Sequence, residues 1–214
     1  NVIVQVVLAV LIALALNRKI KGRGFFRTTA LIPWAVPSVI AALTFRFLYD
    51  ANVGIINAVL KKLGILADGI SWLGNLETAR WAVVIESIWK GTPFVMIFVL
   101  AALQSVPHEM YESARVDGAG GVKTFFKITL PMIKETLGIA TILTTIGTIN
   151  NFNAVWLMTQ GGPLGSTEIM FTYAYRRAFS AHNFGQAAAI SVIMFIIIAL
   201  CTFVYTKLIG EEED

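Results

Sequence analysis

Cysteine, histidine and charge are all scarce in this chain. The single cysteine, Cys201, lies inside an apolar run. It excludes a disulfide within the chain and any cysteine-built metal site. The two histidines, His108 and His182, fall far apart in different loops, so no two-histidine metal site is expected. Charged residues make up 14% of the chain, against about 25% in soluble domains. There is no nucleophile elbow, no His-Glu-x-x-His pair and no dinucleotide fingerprint. The stretch Gly120-Gly121-Val122-Lys123-Thr124 approximates a phosphate loop, but Val122 stands where glycine should precede the lysine, and no strand leads in. No enzyme activity, and no metal or cofactor bound by this chain, is expected.

What is abundant is apolar residue, 57% of the total. It is gathered in runs of the length that crosses a hydrocarbon core about 30 Å thick. The pattern predicts an all-α, polytopic transmembrane bundle, a single domain over 1–214, with five spans near 1–16, 29–49, 81–103, 136–157 and 187–208. The chain opens at Asn1 and is apolar at once. It is therefore expected to start inside or just before its first helix, with one upstream span missing. The net charge of +4 is modest, and its basic residues cluster at span edges. That distribution suits membrane topology rather than nucleic acid. Arg18, Lys19, Lys21, Arg23 and Arg27 follow the first span, and Arg115, Lys123, Lys127 and Lys134 lie between the third and fourth. The positive-inside rule makes both loops cytoplasmic, with Asn1 outside and Asp214 inside.

Both outer loops carry local signals. Ile55, Ile56, Val59, Leu60 and Leu63 recur at helical spacing with Lys61 and Lys62 opposite. They predict a short helix, either lying at the membrane surface or packed as a cap over the bundle. Gly161-Gly162-Pro163 must end a helix. A new one is expected near Ser166 or Thr167, with Glu168 in its first turn. Its Tyr173, Tyr175, Arg176 and Arg177 read either as membrane anchors or as a docking face. Pro33 and Pro37 predict bends in the second span.

Polar residues at membrane depth normally face a bundle interior or a wet cavity. Glu86 and Lys90 share one helix face and can neutralise each other. Gly91 and Pro93 are expected to loosen the helix beside them. Thr144, Thr148 and Asn151 fall at i, i+4 and i+7, a polar stripe with Asn150 and Asn153 beside it. Uncharged hydroxyls and amides suit a neutral, hydroxyl-rich ligand, on which Phe94 and Trp156 would stack. The competing reading is hydrogen bonding between packed spans.

The stretch from Glu109 to Pro131 is polar and glycine-containing, between two spans. Its Glu112-Ser-Ala114-Arg-Val-Asp117-Gly118-Ala119, followed by Phe125, Ile128, Leu130 and Pro131, resembles the EAA loop of binding-protein-dependent ABC importer permeases. Ser113 replaces the first alanine of that pattern. Arg18-Lys-x-Lys-Gly-Arg-Gly-x-Phe-Arg27, Pro33-Trp-x-x-Pro37, Trp89-Lys-x-Thr-Pro-Phe94 and Thr159-Gln-Gly-Gly-Pro163 are similar to the carbohydrate-uptake branch, in its maltose- and glycerol-phosphate-type first permease subunit. The resemblance implies a type I importer fold in a bacterial or archaeal cytoplasmic (inner) membrane. It implies a second homologous permease, a cytoplasmic ATPase dimer that holds the ATP, an extracytoplasmic solute-binding protein, surrounding lipid and a sugar substrate. Gly118 would turn the chain between two short helices, the second docking in an ATPase cleft, with Glu112 and Asp117 meeting basic residues. The loop over 104–135 would couple to the ATPase, and Glu86, Lys90, Gly91, Phe94, Thr144, Thr148 and Asn151 would line the substrate path. A glycerol-phosphate, amino-acid or peptide permease is the alternative within the family. A self-contained channel or secondary transporter is the alternative outside it, and it leaves the loop unexplained.

Overall fold

The computed structural model describes residues 1–18 and 21–210. Lys19 of the basic cluster and the terminal Asp214 lie outside them. Among the described residues the elements are all helical. They are α1 (Val2–Asn17), α2 (Arg23–Ala35), α3 (Ser38–Leu48), α4 (Ile55–Lys62), α5 (Leu76–Ser105), α6 (His108–Val116), α7 (Gly121–Thr124), a π-helical turn (Phe125–Thr129), α8 (Leu130–Ile149), α9 (Phe152–Met158), α10 (Met170–Phe179) and α11 (Phe184–Gly210).

Among the described residues three stretches are long and apolar enough to cross a membrane: Leu76–Ser105, Gly121–Met158 and Phe184–Tyr205. They contain or overlap the third, fourth and fifth expected spans. At 1.5 Å per residue α5 is about 45 Å long, more than a hydrocarbon core requires. The second expected span is not one helix. It is broken between α2 and α3, each too short to cross alone, and the pair makes either a broken span or a re-entrant loop. Pro37 supplies the reason: it has no N–H to continue the ladder, and its ring pushes Val36 out of the helical region. Pro33, by contrast, sits inside α2 without ending it. The first expected span is the short apolar helix α1.

The chain forms two compact units, each assembled from separated stretches of sequence. Of the described residues, the first holds those of Asn1–Ala35, Gly91–Thr145 and 205–210. Its core sets Ala9, Ala13 and Leu16 of α1 with Val95, Met96, Val99 and Leu103 of α5, and with Ile133 and Ala140 of α8. Ala9 and Ala13 are fully buried. Lipid removes the hydrophobic drive for association, so small residues that let backbones approach carry the packing instead.

The second unit holds Val36–Lys90 and Ile146–Val204. Its core joins Ala42 and Tyr49, Ala82 and Val83, and Ala154, Val155 and Met158. Helix α3 packs on α9, and the Arg46 guanidinium donates to the Leu157 carbonyl at 3.3 Å. The expected helix at Ile55–Lys62 is present, but its innermost residue is polar. Asn57 is buried and bonds the Ala51 and Ile70 carbonyls, the Ile70 amide and the Trp72 indole N–H. Ile55, Val59 and Leu63 stay exposed.

The helix after the Gly-Gly-Pro turn starts at Met170, later than expected. Thr167 is held in the turn by its hydroxyl, which donates to the Gly162 carbonyl at 2.8 Å and shares a bond with Thr159. Glu168 therefore precedes the helix and pairs with Arg176 rather than with the helix dipole.

Candidate functional site: an exposed helical hairpin and the polar residues of the spans

The segment predicted to meet an ATPase folds as a helix, a turn and a second helix. Helix α6 ends at Val116 with Asp117 as its cap. Gly118 follows in the left-handed region, at φ +72°. The Gly118 amide donates to the Arg115 carbonyl at 3.1 Å, and the Ala119 amide to the Ala114 carbonyl at 2.8 Å. This pair of bonds is the Schellman closure, which satisfies the last carbonyls of a helix and favours glycine at the left-handed position. Helicity then resumes at Gly121 and continues through the π turn into α8. The second short helix is thus no separate element; it is the leading end of a membrane-crossing helix.

One hydrogen bond fastens α6 to that helix. Ala114 is buried, and Tyr111 packs partly buried against the core of the first unit. The buried Thr129 hydroxyl, within the π turn, donates to the Tyr111 hydroxyl at 3.4 Å. Tyr111 and Thr129 escaped the sequence reading because neither carries a chemical signature, only a position. Ile128 and Leu130 are half-buried, Phe125 is half-buried edge-on to Phe126, and Pro131 is exposed. Glu112 and Asp117 are exposed, with the Glu112 carboxylate 3.1 Å from His108 Nδ1. Val116, Val122 and Phe126 are also exposed, Val116 at 88%. The hairpin therefore presents acidic groups beside bare apolar side chains.

The polar residues of the spans divide between the two units. Glu86, Lys90, Thr148 and Asn151 belong to the second; Gly91, Phe94 and Thr144 belong to the first. Glu86 is buried, only 2% exposed, and Lys90 lies one turn along the same helix. Lys90 Nζ also donates to the Val36 carbonyl at 2.5 Å. That carbonyl sits at the proline break, so the lysine satisfies an acceptor the broken helix leaves over.

Helix α5 continues through Gly91 and Pro93 without a break, although Pro93 has no N–H to return to the Trp89 carbonyl. Gly91 answers a packing need. A Cβ built there would lie 2.8 Å from Gln5 Oε1 and 2.9 Å from its Nε2. Gln5 is buried on α1 and donates to Asn1 Oδ1 at 2.9 Å. Phe94 packs against the first unit's core and on Phe98, with centroids 4.9 Å apart.

The expected polar stripe is interrupted. Helix α8 stops at Ile149, and Asn151 caps α9 at φ −78°, ψ 57°. The Asn151 side chain donates to Ser87 Oγ on α5 at 2.5 Å, and Asn153 to Ser38 Oγ at 2.7 Å. The buried Thr144 hydroxyl donates to the Ala140 carbonyl of its own helix at 2.7 Å. Bonding between helices thus accounts for Asn151 and Asn153. Trp156 stacks on Phe152 and meets Tyr175 edge-on at 4.7 Å. Among the described residues no cluster of three or more metal-ligating side chains occurs.

Residues 5–210 match the family of binding-protein-dependent transport system inner membrane components. The chain belongs to that family. It is an inner-membrane permease, a component of an ABC transporter whose ATP hydrolysis resides on another subunit. Among curated relatives, the trehalose/maltose transport system permease protein MalF of Thermococcus litoralis is 38% identical over 214 residues, 100% of this chain and 72% of the relative. The sulfoquinovosyl glycerol transport system permease protein SmoG of Agrobacterium fabrum is 36% identical over 202 residues, 94% of this chain and 65% of the relative. The permease also superposes on a chain of a bacterial ABC transporter involved in the import of alginate. The TM-score is 0.82 at 22% identity, covering 97% of this chain and 72% of that one. At that identity the likeness shows the fold, an all-helical type I importer permease.

Proposed function

We propose that this permease conducts a neutral sugar and is driven, through the hairpin at 109–131, by a separate ATPase dimer. Residues 1–214 act as one transmembrane domain beside a second, homologous permease, and a solute-binding protein delivers the sugar from outside. The observation that carries the coupling assignment is the hairpin's continuity with a membrane-crossing helix. A push on α6 or its turn is transmitted along one helix, because Tyr111 and Thr129 fasten the two arms. Val116, Val122 and Phe126 supply the apolar part of the ATPase contact, and Glu112 and Asp117 the charged rim that sets register. Ala119, Phe125, Ile128, Leu130 and Pro131 hold the turn and the second arm. ATP stays on the partner, and this chain binds no cofactor.

The sugar assignment is supported by the relatives' substrates, trehalose and maltose in one and sulfoquinovosyl glycerol in another; its neutral class is supported by trehalose and maltose and by the uncharged side chains of the candidate path, since sulfoquinovosyl glycerol carries a sulfonate. The uncharged Thr144, Thr148 and Asn151, with Gly91 and Phe94, are the substrate-path candidates; Glu86 and Lys90 hold that path's walls. Reconstitution of the complete importer in proteoliposomes tests the reading. Glu112→Lys is expected to cut sugar uptake at least tenfold while the complex still assembles and hydrolyses ATP. Normal uptake by that variant, or full uptake by the permease without ATPase subunits, refutes the proposal.

A further inference from the structure

The basic cluster between α1 and α2 has no acidic counterpart in the sequence around it. No aspartate or glutamate precedes Asp50, while Arg18, Lys21, Arg23 and Arg27 fall within residues 18–27. None of these four forms an ion pair among the described residues. Arg18 and Lys21 are exposed, and Arg23 and Arg27 are half-buried on α2. The last two stand four apart, so they share one face of that helix. The proposed function uses none of them.

Arg27 carries the strongest signal. Its Nε and Nη2 are buried and meet no acceptor among the described residues. These two donors lie along one edge of the guanidinium, the edge that grips two oxygens of one carboxylate or phosphate. Leaving such donors unpaired is costly, so an anion that reaches them is favoured. Arg27 as a whole is only half-buried, and its long stem can carry that edge to the surface. The hydroxyls nearby are spent on their own helix: Thr28 donates to the Gly24 carbonyl at 3.1 Å and Thr29 to the Phe25 carbonyl at 2.9 Å. Apolar surface adjoins the charges. Phe25 and Phe26 are 74% and 51% exposed and meet edge to face, with centroids 5.9 Å apart. No residue of α2 is buried.

We infer that Arg23 and Arg27, with Arg18 and Lys21 beside them in the chain, bind the phosphate of an anionic phospholipid of the inner leaflet, while Phe25 and Phe26 lie against its acyl chains. The side of the membrane comes from the proposed topology; neither the sugar nor the ATPase enters. The ligand needs negative charge, because four cations here have no ion-pair partner among the described residues. It needs an apolar part, because two exposed phenyl rings adjoin them. A free anion meets the first need alone. A carboxylate on a neighbouring subunit would answer one arginine and leave the spread of four charges without a reason. An anionic leaflet attracts all four at once.

The test uses the purified complete importer in neutral detergent, titrated with phosphatidylglycerol or with phosphatidylcholine and read by native mass spectrometry. In Arg23→Gln/Arg27→Gln the phosphatidylglycerol concentration for half-saturation is expected to rise at least about tenfold, since each cation near an anionic leaflet accounts for about fivefold. The phosphatidylcholine titration is expected to stay unchanged. Arg27→Lys keeps the charge and loses the two-donor edge, so it is expected to fall between. Arg18→Gln/Lys21→Gln alters only exposed side chains and cannot act through packing; it is expected to weaken binding at least about fivefold. A photo-crosslinking residue in place of Phe26 is expected to join lipid. Phosphatidylglycerol binding that is the same in all these variants overturns the proposal, as does an equal affinity for phosphatidylcholine. Displacement of the lipid by millimolar inorganic phosphate, or crosslinking only to the companion permease, overturns it too. The readout needs neither sugar nor ATP, so an importer that binds the lipid as expected but moves no sugar refutes the functional reading alone.

Discussion

Gly118 offers the sharpest test of the lever, because its environment separates backbone strain from crowding. A Cβ built at this position meets nothing within 4 Å. Any effect of a small substitution must therefore come from holding φ at +72°. For an L-residue that conformation costs roughly 1–2 kcal/mol, while asparagine and aspartate tolerate it. If the Schellman closure is the working state of the hairpin, that strain lowers its population by about fivefold to thirtyfold, since about 1.4 kcal/mol is a factor of ten. The expected order of coupled uptake is Gly118, then Gly118→Asn, then Gly118→Ala, with Gly118→Val lowest because β-branching adds crowding. Sugar uptake per ATP hydrolysed, measured in proteoliposomes, reads this directly. The reasoning is refuted if Gly118→Val transports at the unsubstituted rate, or if Gly118→Asn is as impaired as Gly118→Val. Either result would place the role of Gly118 outside its dihedral angle.

Asn57→Ala removes the side-chain partner of two carbonyls, an amide and an indole N–H. It should destabilise the outer loop by about 2–5 kcal/mol, read as lowered thermal stability and faster proteolysis between Ala51 and Trp72. Gly91→Ala drives its methyl into Gln5 and is expected to cost about 1–3 kcal/mol. The double variant with Gln5→Ala should be more stable than Gly91→Ala alone, and an additive loss would reject the close approach. Asp50 lies outside the spanning segments, and bonds from the Val53 and Asn52 amides hold its carboxyl below the usual range. Its contribution is fully present above the unfolded value of about 3.9 and is lost as pH falls through the depressed folded value. The stability gap between the unsubstituted protein and Asp50→Ala should therefore close on acidification below about pH 4. A gap that stays constant would remove the charge from the explanation.

Much of the site was readable along the chain because its signals are local. The EAA-like pattern, Gly118 at the end of an amphipathic helix and the Gly-Gly-Pro turn each depend on residues within a few positions of one another. The short helix at 55–62 was also legible from spacing. Its buried face was not, because periodicity ranks Asn57 as polar and cannot see four partners up to fifteen residues away. The polar stripe failed for a related reason. Spacing by i, i+4 and i+7 assumes a continuous helix, and Asn151 leaves the helix to meet Ser87, 64 residues earlier. Pro93 looked like a helix breaker and is not; Pro37 is one.

The sequence alone determined the membrane setting, the helical class, the family and the place of the cytosolic turn, since each follows from composition or from short contiguous motifs. Tertiary structure alone decided which polar side chains are spent on other helices, which side chain comes close to Gly91, and that α6 is pinned through Tyr111 and Thr129 to the helix that enters the membrane. Those outcomes depend on where distant backbones meet, and a buried polar group must find its partner at that meeting point or carry the cost of leaving water.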